Sequence, residues 1–539
     1  MHLDADPTAS RALRSEVGDG VRLRLADGDS HRDQVLAAVR ESLATCEGQD
    51  WTPGSGTPDV VLEPMLRSRT RFGAPDLLVW AGDGYQPVII RAHRTTDPGS
   101  GALVSPVLTP LAAAVDGARK ARSHPADALA LAHHYRLLQE LGLASGVALG
   151  GVIGRGGTRS VSGPGGAADV GQGSPDDGST VLWHRLDQLD GSGTSVLADY
   201  DLRFADRLAV ATAAVHGDPP LAQPSRIGEC RRCSWWPVCS AELIATQDIS
   251  LIAAGDDVAV LHGAGIRTAR ELAQADPAVI AALPLTGLNA TTARVRARAW
   301  LGGVPLVRKV EQVTVPRADL ELDVDMESFL EDGAYLWGTY LTGPAVEPLG
   351  LTAGYRGFVT WRPLPDQDEG RAFAEFWQYL SGLRRLAAEH GLTFAAYCYS
   401  RSAEERWLRS TPVRYPGVAG MPTPADITAF CASPDWVDIY QQIKDQFVVP
   451  GSMKLKALAP VAGFHWRDPD PGGENSMAWY RDAVGPAGDG RTDPAPVDTG
   501  SADRILQYNE DDVLATLALR RWLTERATTV PSVAELDAD

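Results

Sequence analysis

The chain reads as α/β, with two strand-and-helix regions separated by a helical one. Over residues 1–245, strand-like runs (PDVVLEPML, APDLLVW, QPVIIRA, GVALGGVIG) alternate with helical ones (HRDQVLAAVRESL, DALALAHHYRLLQELGL, ADRLAVATAAVHG), which predicts a mixed sheet. Residues 246–315 show helical periodicity through 302, with a Gly263-Ala264-Gly265 turn ahead of a helix beginning near Thr268. Over residues 316–539 strands come first (ELDVDMES, AYLWGTYLTG, TAGYRGFVTW) and helices follow, starting with DEGRAFAEFWQYLSGLRRLAAEH. The length of 539 residues fits three or four domains of about 150 residues each. The Gly/Ser-rich segment GRGGTRSVSGPGGAADVGQGSPDDGST reads as an excursion between two strands.

Composition narrows the function. Hydrophobic content of 44% and charged content of 22% are those of a soluble globular chain. No apolar run reaches the roughly 18 residues of a membrane span. The opening MHLDADPTASRALRSE is charged and lacks an apolar signal core, so a cytoplasmic location is expected. Six cysteines are too few for a disulfide scaffold in so long a chain; three fall within 230–239, which points to metal before disulfide. The net charge of −19 argues against indiscriminate binding of nucleic acid, which needs a broadly basic surface. It does not exclude a nuclease, whose own carboxylates add to the same total. Only five basic residues are lysines, and two of them, Lys454 and Lys456, sit together as candidate phosphate contacts.

The chemistry concentrates in the last region. LDVDMES places Asp325 and Glu327 two positions apart on a strand, hence on one face. RILQYNEDDVLATLALRRWL places Asp512 one helical turn after Tyr508, again on one face. Phosphodiester hydrolysis by two metals about 4 Å apart needs several converging carboxylates, and hard cations such as Mg²⁺ or Mn²⁺ want oxygen ligands. SRSAEERWLRS supplies a third acidic station, Glu404, with Leu408 four residues on as a core anchor; Glu405 offers a competing register and Asp438 a further acid.

Taken in order, D-x-E on a first strand, an acid followed by x3-L on a helix, and YNxxD on a last helix resemble the DEDD exonucleases. The similarity is closest to the ribonuclease-H-like domain fused to RecB-type nucleases in predicted bacterial nucleases. GSMKLKALAPVAGFHW and GGENSMAWY resemble that family's serine-x-lysine and Gly-Gly-Glu-x-Ser stretches, and the likeness covers roughly 318–525. It implies a 3′–5′ exonuclease in which Asp325, Glu327, Glu404 and Asp512 hold two ions and Tyr508 aligns water. One departure is the Glu at 404, where many such enzymes have Asp.

Residues of about 25–155 resemble a RecB-type PD-(D/E)xK core through His31, Asp76 and Tyr135. The acid and lysine of its signature strand are missing, because Arg91-Ala92-His93-Arg94 stands there, and Leu131 replaces a glutamine. The resemblance therefore implies the fold with hydrolysis lost. Cys230, Cys233 and Cys239, spaced C-x2-C-x5-C, are similar to the iron–sulfur clasp of such nucleases, with Cys46 as the upstream cysteine on offer. A 4Fe–4S cluster, a zinc ion and no metal all remain open readings. Leu261 to Ile266 resembles a helix–hairpin–helix turn in which Gly263 and Gly265 let backbone amides approach a DNA phosphate. Arg294, Arg296 and Arg298 follow on a helix. The chain thus predicts a metal-dependent nuclease acting on nucleic acid, DNA before RNA. The alternative is an inactive nucleic-acid-binding scaffold.

Overall fold

The computed structural model describes residues 2–42, 45–48, 51, 56–107, 112–155, 180–485 and 495–538. Most of the Gly/Ser-rich excursion lies outside them. Two compact units form: one from Met1–Ala9, Val21–Arg159 and Pro164–Ala222, the other from Ser10–Gly20, Ser160–Gly163 and Gln223–Asp539.

The first unit holds an eight-stranded mixed sheet. Its spatial order is Thr45–Glu47, Val60–Leu62, Leu77–Trp80, Tyr85–Arg94, Leu149–Arg155, Thr180–Arg185, Ala102–Pro106 and Ala114–Asp116. Two pairings are parallel, Thr45–Glu47 with Val60–Leu62 and Tyr85–Arg94 with Leu149–Arg155; the others are antiparallel. Alternation along Tyr85–Arg94 serves both faces. Val88 and Ile90 pack with Leu36 and Val39 of helix Asp19–Ser42, while Ile89 packs with Leu131 and Tyr135 of helix Pro125–Glu140.

In the second unit, helices Asp256–Gly263, Ala269–Gln274, Pro277–Ala281 and Ala293–Leu301 bury Leu261, Ile266, Leu272, Ile280 and Ala297 together. Gly265 takes φ +80° in the turn, and Thr268 caps the next helix in a reciprocal box with Glu271.

The C-terminal region is a five-stranded sheet covered on both faces. Strands β1 (Leu320–Phe329), β2 (Gly333–Thr342) and β3 (Gly354–Val359) form an antiparallel meander. After helix α1 (Gln367–Glu389) comes β4 (Phe394–Cys398), parallel to β1. After helix α2 (Ser402–Arg414) comes β5 (Trp436–Asp438), parallel to β4, giving the order β3-β2-β1-β4-β5. Helices α3 (Gly473–Val484) and α4 (Thr499–Glu525) close the domain. Strand β1 sorts its side chains by parity. Leu320, Leu322 and Val324 enter the core beneath Phe373, Phe376 and Leu380 of α1, where Trp337 stacks on Phe376 at 4.6 Å. Glu321, Asp323, Asp325 and Glu327 take the alternate positions, which face α4 through Arg520 and Asn509.

Candidate active site

Strand β1 and helix α4 supply the carboxylates. Asp325, Glu327 and Asp512 each bring a ligand oxygen within 4.8 Å of the others. Glu327 and Asp512 are buried and Asp325 is half-buried. Neighbours hold each of the three in place. Asn509 Nδ2 donates to Asp325 Oδ2 at 2.8 Å, and the Tyr355 hydroxyl donates to Asn509 Oδ1 at 2.8 Å. Ser476 Oγ donates to Glu327 Oε2 at 2.7 Å, and Trp466 Nε1 donates to Asp512 Oδ1 at 2.6 Å. Gly338 lies opposite Asp325 on β2, and a Cβ there would stand 1.6 Å from Asn509 Oδ1. The missing side chain is the space the amide occupies.

Glu404 sits in the first turn of α2 at 4% exposure, and its Oε2 has no hydrogen-bond partner. It is outside the three-oxygen group but near enough to Glu327 and Asp325 to feel and exert charge. Glu405, the competing register, pairs outward with Arg401 and Arg409. Leu408 is in the core as expected. Asp438 is structural. It caps the helix Ile439–Gln446 and accepts from Ser400 N at 2.9 Å, which braces a residue at φ +66° just before α2.

The electrostatics are those of a buried acidic cluster that the single charge of Lys456 does not offset. Burial, then Asp512, pushes Glu327 up to about 8. Burial, with Asp438 and Glu327 adding to it, pushes Glu404 up to about 8. Asp325 is raised by burial and by Asp512, and Asp512 is raised by burial against the pull of Lys456. The Lys456 ammonium donates to the Tyr508 hydroxyl at 2.6 Å and lies 4.6 Å from its ring centre. Burial and then Asp512 raise that hydroxyl, which in turn draws Asp512 down. Lys456 therefore belongs to the carboxylate site, while Lys454 is exposed. Further along the same face of β1, Arg520 donates to Asp323 at 2.8 Å and to Glu321 at 2.7 Å, and all three side chains are buried. Burial opposes ionisation of Glu321, yet Arg317 and Arg520 hold it down to about 2.

The sequence motifs contain Asn509, Ser476 and Trp466 without assigning them a role, and Tyr355 and the Arg520 clamp escape the sequence reading. The only signal for the clamp is the acid at every second position from Glu321.

Elsewhere the predicted residues disperse. Asp76 accepts from Arg32 and from Ile90 N, and His31 is depressed by burial and Arg155; the two share no metal-holding group among the described residues. The Tyr135 hydroxyl donates to Ser145 O at 2.7 Å. Cys230, Cys233 and Cys239 are free thiols that do not converge within 4.8 Å, and the Cys46 side chain lies outside the described residues. In the Gly263–Gly265 turn, the amides of Ala264, Gly265 and Ile266 bond back to the preceding helix. Those of Arg267 and Thr268 donate to Glu271. Arg294 and Arg298 face Asp537, and Arg296 is largely buried.

A family model of the RNase H superfamily matches residues 416–524, which takes in β5, α3 and α4 with Tyr508 and Asp512, and leaves β1 outside. Comparison with curated proteins and with solved structures returns no match. The chain is an α/β protein that carries an RNase H superfamily domain at its C-terminal end.

Proposed function

We propose that the C-terminal domain is a metal-dependent nuclease that hydrolyses nucleic-acid phosphodiesters from a 3′ end, with DNA as the first substrate to test. The observation that carries this reading is the meeting of Asp325, Glu327 and Asp512 from two elements remote in sequence. The donor set fits hard divalent cations: all oxygen, crowded enough to resist simultaneous ionisation, with an unpartnered buried oxygen on Glu404 beside it. Asp325, Glu327, Glu404 and Asp512 would hold two Mg²⁺ or Mn²⁺ ions, which supply water activation and charge neutralisation at the phosphate.

The protein's own groups do the positioning. Asn509, Ser476 and Trp466 each donate to one carboxylate oxygen and so fix which oxygens remain for ligation. Tyr508 accepts from Lys456 and interacts with Asp512, which leaves a phenol lone pair beside the carboxylates to orient a water. Lys456 adds a positive charge next to the acids that can meet a substrate phosphate as well as the phenol. The iron–sulfur clasp and the hairpin contact with DNA stand as proposals carried by the resemblance alone.

The test is cleavage of end-labelled single-stranded DNA, duplex DNA and RNA by the full chain with Mn²⁺ or Mg²⁺. Stepwise shortening from the 3′ end, abolished by EDTA and by Asp512→Asn or Asp325→Ala, is expected. Full cleavage by either variant would sink the assignment, and an inert wild-type chain would leave the scaffold reading.

A further inference from the structure

The first unit gathers a second group of metal-ligating side chains, one of which, His93, stands on the strand where the nuclease-like signature lacks its acid and lysine. His93, at the end of strand Tyr85–Arg94, meets His124 and Asp127 at the start of helix Pro125–Glu140. One ligand atom from each lies within 4.8 Å of the others. We propose that His93, His124 and Asp127 form a binding site for a zinc-class divalent cation.

Three observations carry the proposal. His93 Nε2 stands 3.0 Å from Asp127 Oδ2, close to the roughly 3.3 Å that separates two ligands around a tetrahedral zinc ion with bonds near 2.0–2.1 Å. Both imidazoles are hung from one acceptor: His93 Nδ1 lies 3.3 Å and His124 Nε2 lies 3.1 Å from the carbonyl oxygen of Arg94. A carbonyl can only accept, so it fixes an N–H on those two nitrogens and leaves the other nitrogen of each ring for a ligand; His93 Nε2 here donates to Asp127 Oδ2, a proton that a bound ion would replace. Orientation of ligating histidines by a backbone carbonyl is the usual support of such sites. Arg91 Nε occupies Asp127 Oδ1 at 3.0 Å, which makes the buried aspartate a one-oxygen ligand. An ion pair with Asp127 would account for His93 alone. It does not account for a second imidazole stacked on the first at 3.8 Å and fixed by the same carbonyl. Two histidines and one carboxylate oxygen leave a tetrahedral ion one open position, and imidazole ligands select zinc over magnesium.

The experiment is a Co²⁺ titration of the full chain in excess Mg²⁺, read by visible d–d absorption, with Zn²⁺ as competitor. Wild type is expected to gain a nitrogen- and oxygen-ligated spectrum that Zn²⁺ abolishes. His93→Gln and His124→Gln should each weaken uptake at least tenfold. His93 is more than a third exposed and its replacement empties no core, so far-UV circular dichroism of that variant should match wild type. Absence of the spectrum in wild type, or equal uptake in both histidine variants, would overturn the proposal. A thiolate-to-cobalt charge-transfer band insensitive to both histidine variants would also overturn it, by placing the ion on the cysteines.

Discussion

Asn509 reaches Asp325 across β2 only because position 338 carries no side chain. Gly338→Ala should displace the amide and release Asp325 Oδ2. Overpacking of this kind costs about 1–3 kcal/mol, so a lower urea midpoint and weaker Mn²⁺ binding by calorimetry are both expected. The raised carboxyls make a second residue-scale prediction. Glu327 and Glu404 keep their protons up to about 8 when folded, against 4.5 ordinarily. Between those limits the folded state binds more protons than the unfolded one, so metal-free stability falls as pH rises from about 4.5 to about 8. Thermal melts in EDTA should show that decline, and Mn²⁺ should flatten it. At neutral pH, Mn²⁺ addition in dilute buffer should release protons. At this scale Asp325, Glu327, Tyr508 and Asp512 are legible in the sequence because each pair lies within one local period. The roles of Asn509, Ser476 and Trp466 are not, although the sequence motifs contain all three residues. Their roles arise from contacts between remote segments, and an isolated Asn or Ser carries no periodic signal.

Among the elements, β1 and α4 set the register of the site, and Arg520 is the pin. It lies two helical turns beyond Asp512 and grips Asp323, one strand period before Asp325. Arg520→Ala leaves buried Asp323 without a cation and Glu321 with Arg317 alone, a loss on the order of 3–5 kcal/mol. Chemical denaturation should report it, and metal affinity should fall with it because α4 is no longer held in phase with β1. The strand and the helix themselves are readable from periods of 2 and 3.6. Their juxtaposition is not, nor is the pairing of Ala102–Pro106 with Thr180–Arg185 in the first unit, because strand order is decided by non-local packing. The helical hairpin shows the opposite failure. Gly263 to Thr268 has the right turn residues, yet the amides at 264–268 are occupied internally.

For the molecule as a whole, two nuclease-like resemblances compete for one activity. Asp76 is engaged by a backbone amide and by Arg32, which also holds Glu63, so among the described residues no carboxylate pair stands open for an ion there. Asp76→Asn is expected to leave metal-dependent cleavage within about twofold of wild type, while Asp512→Asn removes it all. Substantial cleavage surviving Asp512→Asn but lost on adding Asp76→Asn would reverse that assignment. The four acids of β1 then have a meaning beyond the site. Glu321 and Asp323 are gripped by an arginine the chain always carries, whereas among the described residues no arginine grips Asp325 or Glu327, and Lys456 acts on them from its place on Tyr508. A ligand that binds only the folded state at a hundred times its dissociation constant adds about 2.7 kcal/mol. Divalent ions bound there would thus add to how much of this domain persists intact, and β1 would work as a gauge of their supply.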